Sequence, residues 1–393
     1  MMKKEEIIGS SKSAFYVFDV IELKRRIDYL RSSLPDGISL CYAMKANPFV
    51  LKEISDNLEK IEICSPGEGN ICRALHIPDE KMVISGVYKS PDFIESLASN
   101  NRFKGVFTVE SKTQYHMLCE LSEKHNRKIQ VLLRLTNDSQ FGINETDIEE
   151  IVRGADKNPN ICHIGIQYFS GTQKNSLKRI KRELDYLDKF LIHLRDDLGF
   201  CAKHFEYGPG FPVSYFEEEN FDESAFLEGF SQLIDEMSFK CDITLEIGRS
   251  IAASCGKYYT HIVDIKQNNG MNYAIVDGGM NHIQYFGQQM AMKHPKLSVV
   301  GKAYISNNKP WNICGSLCSM NDILVKQMPL PDIKIGDTIC FENAGAYCMT
   351  EGISLFLSRD IPAIYLALEN GNLICVRETF ETACLNTPKQ ERI

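Results

Sequence analysis

The sequence predicts an α/β fold, a parallel (β/α)8 TIM-like barrel joined to a mainly antiparallel β domain built from both chain ends. Three observations predict it. Eight short apolar runs recur between residues 38 and 248, helical segments lie between them, and after about residue 255 the pattern turns β-rich with hardly any helical spacing. Parallel strands covered on both faces read as near-continuous hydrophobic runs, and each needs a crossover to reach the next. An open, doubly wound sheet is the structural runner-up, because counting runs does not establish closure.

The elements follow in order. A strand-like segment, SAFYVFD (13–19), precedes the barrel and is expected to pair with the β domain. The eight runs are ISLCYAM (38–44), IEIC (61–64), KMVIS (81–85), GVFTV (105–109), IQVLLRL (129–135), HIGIQYF (163–169), HFEYG (204–208) and ITLEIG (243–248). Between the sixth and seventh, Leu177, Ile180, Leu184, Leu187, Leu191, Leu194 and Leu198 form a stripe at helical spacing. Phe226, Phe230, Leu233 and Met237 form another, with Asp222 placed to cap it. Beyond the barrel, KYYTHIVDIK, MNYAIVDGG, LSVVGKAYI, DTICFENAG and PAIYLAL read as strands separated by turns. The expected division is 24–255 for the barrel, and 1–23 with 256–393 for the β domain.

Composition bounds the function. A length of 393 residues suits two domains, and 44% hydrophobic with 24% charged residues is a globular composition. A formal charge of -8 gives no support for nucleic-acid binding, which wants a basic patch. The start of the chain lacks a secretory apolar core, and no apolar run is long enough to span a bilayer. Fourteen cysteines without a signal peptide suggest reduced thiols in the cytoplasm. No metal site is expected, and HExxH, GxxxxGK[ST] and GxSxG are all missing.

In such a barrel, chemistry collects at the C-terminal ends of the strands. Lys45 follows the first run, Phe169 ends the sixth, YGPGF (207–211) closes the seventh and EIGR (246–249) the eighth. Each has an ordinary explanation: a lysine that snorkels to water, an aromatic in a core strand, a Gly–Pro turn, a surface Glu–Arg pair. Convergence on one rim favours chemistry. A nucleophilic amine, backbone N–H groups that cradle a phosphate and a carboxylate for a ring nitrogen together fit pyridoxal phosphate.

The motifs YAMKANP, EICSPGE, FGI (141–143), YGPGFP, EIGRS, VDGGMN (276–281), CGSLCSMNDIL (314–324) and ENAGAY (342–347) stand in the order found in the barrel-type pyridoxal-phosphate decarboxylases, which the chain resembles from about residue 14 to the mid-360s. These include the diaminopimelate, ornithine and arginine decarboxylases. The resemblance implies that Lys45 holds the cofactor as an internal aldimine and that Glu246 keeps its ring nitrogen protonated. Gly208, Gly210, Gly248 and Arg249 would bind the phosphate, Tyr347 the phosphate or ring, and Arg134 would act near the lysine. Cys318 would cross from a second subunit to help protonate the quinonoid, which implies a homodimer. Asp322 would contact the substrate's distal end or orient the loop.

Two departures bear on substrate. Relatives stack a histidine on the cofactor where this chain has Phe169, which can stack but not titrate. Where diaminopimelate decarboxylases follow VDxGMN with an arginine and a tyrosine, this chain has HIQYFGQQMAMKHP, with Tyr285 and Gln289 near those positions, and Ser319 replaces a glutamate after Cys318. Losing a bidentate arginine removes the natural partner of a free carboxylate. The chain thus looks closer to a specialised-metabolism subgroup acting on modified, carrier-bound or siderophore-precursor amino acids. The expected substrate is an α-amino acid whose distal end is neutral, amidated, acylated or carrier-bound, and an acyl or peptidyl carrier protein is a candidate partner. Diaminopimelate decarboxylase and amino-acid racemase are the alternatives, and a catalytically silent regulator ranks below them because Lys45 and Cys318 are both present.

Overall fold

The structure is a computed structural model that describes residues 7, 11, 13–303 and 308–389. Two compact units emerge. One is Ile27–Pro212 with Asp222–Ile251; the other comprises the chain-end segments up to Arg26 and from Ala252, together with Val213–Phe221. Positions 1–6, 8–10, 12, 304–307 and 390–393, which belong to the expected β domain, lie outside the described residues.

Strand β1, Phe15–Asp19, belongs to the second unit and is considered with it below. The first unit is a closed barrel of eight parallel strands: β2 (Ser39–Ala43), β3 (Lys60–Ile63), β4 (Met82–Ile84), β5 (Val106–Val109), β6 (Ile129–Arg134), β7 (Ile161–Phe169), β8 (His204–Gly208) and β9 (Asp242–Ile247). All eight expected runs are strands, and pairing of β2 with β9 closes the ring, so the open-sheet alternative falls. The leucine stripe becomes the helix Leu177–Asp196, which buries Ile180, Leu184, Leu187, Leu191 and Leu194. Leu198 falls beyond its end. Asp222 caps Glu223–Asp235 by accepting from the Ala225 N–H at 3.0 Å, and here Ile234, rather than Leu233, is the buried residue.

The second unit is a nine-stranded sheet in the order β14–β13–β11–β10–β1–β16–β17, with β15 pairing β10 and β12. Its further strands are β10 (Gly256–Asn268), β11 (Met271–Val276), β12 (Leu297–Val299), β13 (Lys309–Cys314), β14 (Ile323–Leu330), β15 (Thr338–Phe341), β16 (Ala363–Ala367) and β17 (Leu373–Arg377). Strand β1 runs antiparallel to β10 and parallel to β16, so both chain ends do build this sheet. The β1–β16 and β11–β13 pairs are parallel and the rest antiparallel. Phe15 stacks on Tyr259 with ring centroids 5.0 Å apart, joining β1 to β10 through their side chains as well as their backbones. No helix among the described residues is long and apolar enough to cross a membrane.

Candidate active site

Strand β2 stops at Ala43, and the chain turns through the 3-10 segment Met44–Ala46. Asn47 then caps a second turn begun by Pro48: its side chain accepts from the Phe49 N–H at 3.1 Å, while the Tyr42 hydroxyl donates to its carbonyl at 3.1 Å. This double turn buries Met44 and Ala46 and leaves Lys45 between them with a partly open side chain. The ε-ammonium bonds to Glu62 of β3, lies 3.4 Å from Cys64 Sγ and stands 3.9 Å from Glu246 Oε1 on β9. Register explains the meeting: β2 lies between β3 and β9, pairing Ala43 with Glu62 and Cys41 with Glu246.

The carboxyls divide by environment. Burial would raise Glu62, but the Lys45 charge and hydrogen bond, with help from Cys64, hold it below its ordinary value. Cys64 donates to Glu62 Oε1 at 3.2 Å, and burial pushes its thiol well up, so it stays a neutral donor. Burial, and then the Glu62 charge, push Glu246 up to about 7 against the pull of Lys45 and Arg134. Gln167 of β7 donates to Glu246 Oε2 at 2.9 Å. Glu206 of β8 is also buried, and desolvation followed by Glu246 and Glu62 raises its pKa strongly. Lys45 is thus paired with Glu62 while Glu246, 3.9 Å away, stays raised, and a second cation at Glu246 would let that group ionise. A protonated pyridine nitrogen is such a cation.

A cradle lies on the β7, β8 and β9 ends of the same barrel. A side chain at Gly208 would put its Cβ 2.3 Å from the Phe169 ring, and one at Gly210 would meet the Gly171 carbonyl at 2.1 Å with φ already at +61°. At Gly248 a Cβ would stand 3.0 Å from Ala46. These positions need glycine for close backbone approach, as a loop that wraps an anion does. Arg249 is buried and donates Nε to Thr172 Oγ1 at 3.2 Å. Arg134 ends β6, bonds Glu110 Oε2 at 3.1 Å and lies 4.9 Å from the centre of the Phe141 ring. The donor set therefore fits pyridoxal phosphate: an amine, a buried carboxyl whose pKa is raised, and a glycine-lined loop.

The remaining expected residues lie in the sheet unit. Cys318 is exposed, on the loop after β13. Asp322 is buried and ties that loop, accepting from the Met280 N–H at 2.7 Å and the Leu317 N–H at 2.7 Å. Of its two expected roles, these contacts are those of a loop brace. Tyr285 is buried beside Tyr215, its hydroxyl bonded to the Glu342 carbonyl. Gln289 is exposed, and Tyr347 takes φ +65° in a turn closed by Thr350. Sequence reasoning missed Glu62, Cys64, Gln167, Glu110 and Glu206. The available signal was a lone acid inside an apolar run, as in IEIC and HFEYG.

An amine poised beside a buried carboxyl whose pKa is raised suits an aldehyde coenzyme with a basic ring nitrogen, and the class is a barrel-type pyridoxal-phosphate enzyme. A family model described as "Pyridoxal-dependent decarboxylase, C-terminal sheet domain" matches residues 15–345. The chain belongs to that family: it is a decarboxylase that uses pyridoxal phosphate and acts on a small amino-acid substrate. It is 28% identical to the 2-[(L-alanin-3-ylcarbamoyl)methyl]-2-hydroxybutanedioate decarboxylase of Staphylococcus aureus, over 89% of this chain and 93% of that one. It is 26% identical to a diaminopimelate decarboxylase of Helicobacter pylori, over 96% of each. The solved Helicobacter pylori diaminopimelate decarboxylase complexed with L-lysine shares the fold with a TM-score of 0.84 at 24% identity, covering 97% of this chain and 98% of that one.

These comparisons correct the substrate expectation. Relatives named diaminopimelate decarboxylase recur along nearly the whole chain, and nothing in them singles out a carrier-bound subgroup. The expectation of a modified or carrier-bound substrate is therefore corrected, and a carrier-protein partner stays without support. The physical reason is local. A missing arginine shows what one stretch does not supply, not what the rest of a pocket supplies.

Proposed function

We propose that the chain decarboxylates a free basic amino acid of the diaminopimelate, lysine or ornithine type, with diaminopimelate first among them. The observation that carries this is Lys45 held between Glu62 and Glu246 at the C-terminal ends of the strands; the names of the relatives support the substrate class. When bound, pyridoxal phosphate supplies the electron sink for the pair released as the α-carboxylate leaves. Lys45 provides the amine to which the coenzyme attaches. Glu62, its carboxyl held low by Lys45, stays charged and orients the Lys45 amine toward the coenzyme. Glu246 keeps a proton on the ring nitrogen, and Gln167 fixes its orientation. Gly208, Gly210, Gly248 and Arg249 bind the phosphate, and Phe169 offers an aromatic face to the ring. Arg134, steadied by Glu110 and Phe141, acts beside the lysine.

The proposal includes a homodimer in which Cys318 of a second copy, on the loop braced by Asp322, returns a proton to Cα, while Tyr347 reaches the phosphate or ring. A cytoplasmic setting agrees with fourteen cysteines, several of them buried as free thiols. Incubation with pyridoxal phosphate and meso-diaminopimelate, L-lysine or L-ornithine tests the reading. Carbon dioxide and L-lysine should form from diaminopimelate. Carbon dioxide from none of the three would refute it.

A further inference from the structure

Lys174 is a lysine that the reaction does not use, yet its side chain is 0% exposed. It lies in the loop between β7 and the helix Leu177–Asp196. Its ammonium bonds Glu183 Oε2 at 2.7 Å and Ser170 Oγ at 3.0 Å, and it reaches the Tyr207 hydroxyl at 3.3 Å and the Gly208 carbonyl at 3.4 Å. Its backbone N–H bonds the Gly210 carbonyl at 2.9 Å. Tyr207 and Ser170 also donate to Glu183, at 2.9 and 2.7 Å. One residue therefore grips the glycine turn at two carbonyls, one through its ammonium and one through its backbone N–H, and anchors it to a partly buried carboxylate.

We propose that Lys174 is a positioning residue for the phosphate cradle: its backbone N–H holds the Gly210 carbonyl, and its ammonium, tied to Glu183 and the Gly208 carbonyl, locks its own segment against the turn so that the Phe211 N–H is presented to the anion. In a trans peptide unit the C=O and N–H point in opposite directions. With the Gly210 carbonyl fixed on Lys174, the Phe211 N–H must face away from Lys174. The ammonium is neutralised by Glu183, so it acts through geometry and not as a free charge drawing in the phosphate. The space confirms the fit: a Cβ at Gly210 would come within 3.1 Å of Lys174 Cε. Burial lowers the Lys174 pKa, and Glu183 opposes that shift.

This inference rests on the assignment of the Gly208–Gly210 turn to the phosphate. The full chain, stripped of coenzyme, is titrated with pyridoxal phosphate and, separately, with pyridoxal, which lacks the phosphate. Binding is followed by absorbance. Lys174→Met should weaken pyridoxal phosphate about tenfold while pyridoxal changes by less than about twofold. Equal weakening of both ligands, or no change in either, would overturn the positioning role. If the wild type binds the two ligands equally, the phosphate assignment itself fails and the inference falls with it. If Lys174→Met does not fold, Tyr207→Phe removes only a hydroxyl that Lys174 reaches, and about a threefold loss confined to pyridoxal phosphate is the expected result.

Discussion

Gln167 on β7 donates its side-chain amide to Glu246 on β9 across 2.9 Å, so one carboxyl oxygen is committed while the other lies 3.9 Å from Lys45 Nζ. That divided carboxyl is the group assigned to the ring nitrogen. Replacing it by Glu246→Gln keeps its shape and removes its charge. Coenzyme uptake should survive and kcat should fall by about 10²–10³-fold, the usual cost of losing one electrostatic group at a reacting centre. Steady-state kinetics at saturating coenzyme measure it.

The same residue sets a pH dependence in the coenzyme-free chain. Its carboxyl titrates near 4.5 when exposed and is pushed up to about 7 by burial and by Glu62. The folded state then binds more protons than the unfolded state between those values, so this group's contribution makes stability fall as pH rises from about 4.5 to 7. The Glu246→Gln variant should lack that decline, gaining on the order of 2 kcal/mol relative to wild type across the window. Urea denaturation at pH 5 and pH 7.5 gives the difference.

Lys89 provides the opposite sign. Burial lowers its ammonium to about 8, against the attraction of Glu110. Between about 8 and 10.5 the unfolded state binds more protons, so its contribution makes stability rise with pH in that range. Lys89→Met should flatten this rise in the same denaturation series.

The Gly210 backbone sits at φ +61°, and an added Cβ would meet the Gly171 carbonyl. Gly210→Ala should therefore destabilise the chain by about 1–3 kcal/mol and weaken pyridoxal phosphate binding. Thermal melting and coenzyme titration read the two effects.

If Cys318 enters a second copy's site, Lys45→Ala and Cys318→Ala are each nearly inactive alone but complement when mixed. Random exchange of subunits makes about half the dimers mixed, each with one intact site, so activity should recover to about a quarter of wild type. No recovery after exchange would show that each site is built within one chain.

The barrel was readable because its strands are short, buried runs bounded by turn residues, and β2 to β9 lie within a few residues of the expected spans. Strands β13, β14 and β17 were not. KPWNIC and ILVKQMPL carry prolines or polar residues, and the β13–β14 ladder shifts register twice, which blurs the alternation a strand needs. In the site, Lys45 and Glu246 stood out by type and place. Glu62 did not, because a single acid in IEIC reads as part of an apolar strand, and only the register that sets it beside Ala43 shows that it meets the lysine. Lys174 was invisible for a similar reason, as its partner Glu183 lies on a helix whose sequence signal is a leucine stripe on another face. The substrate is the least legible part of the sequence, since departures in one segment do not speak for a whole pocket.

In the proposed function Lys45 carries the coenzyme. Borohydride reduction of the protein loaded with pyridoxal phosphate, followed by digestion and mass spectrometry, tests it directly. The account predicts a phosphopyridoxyl group on Lys45 and none in Lys45→Ala; a label on another lysine, or no label in the wild type, would contradict it.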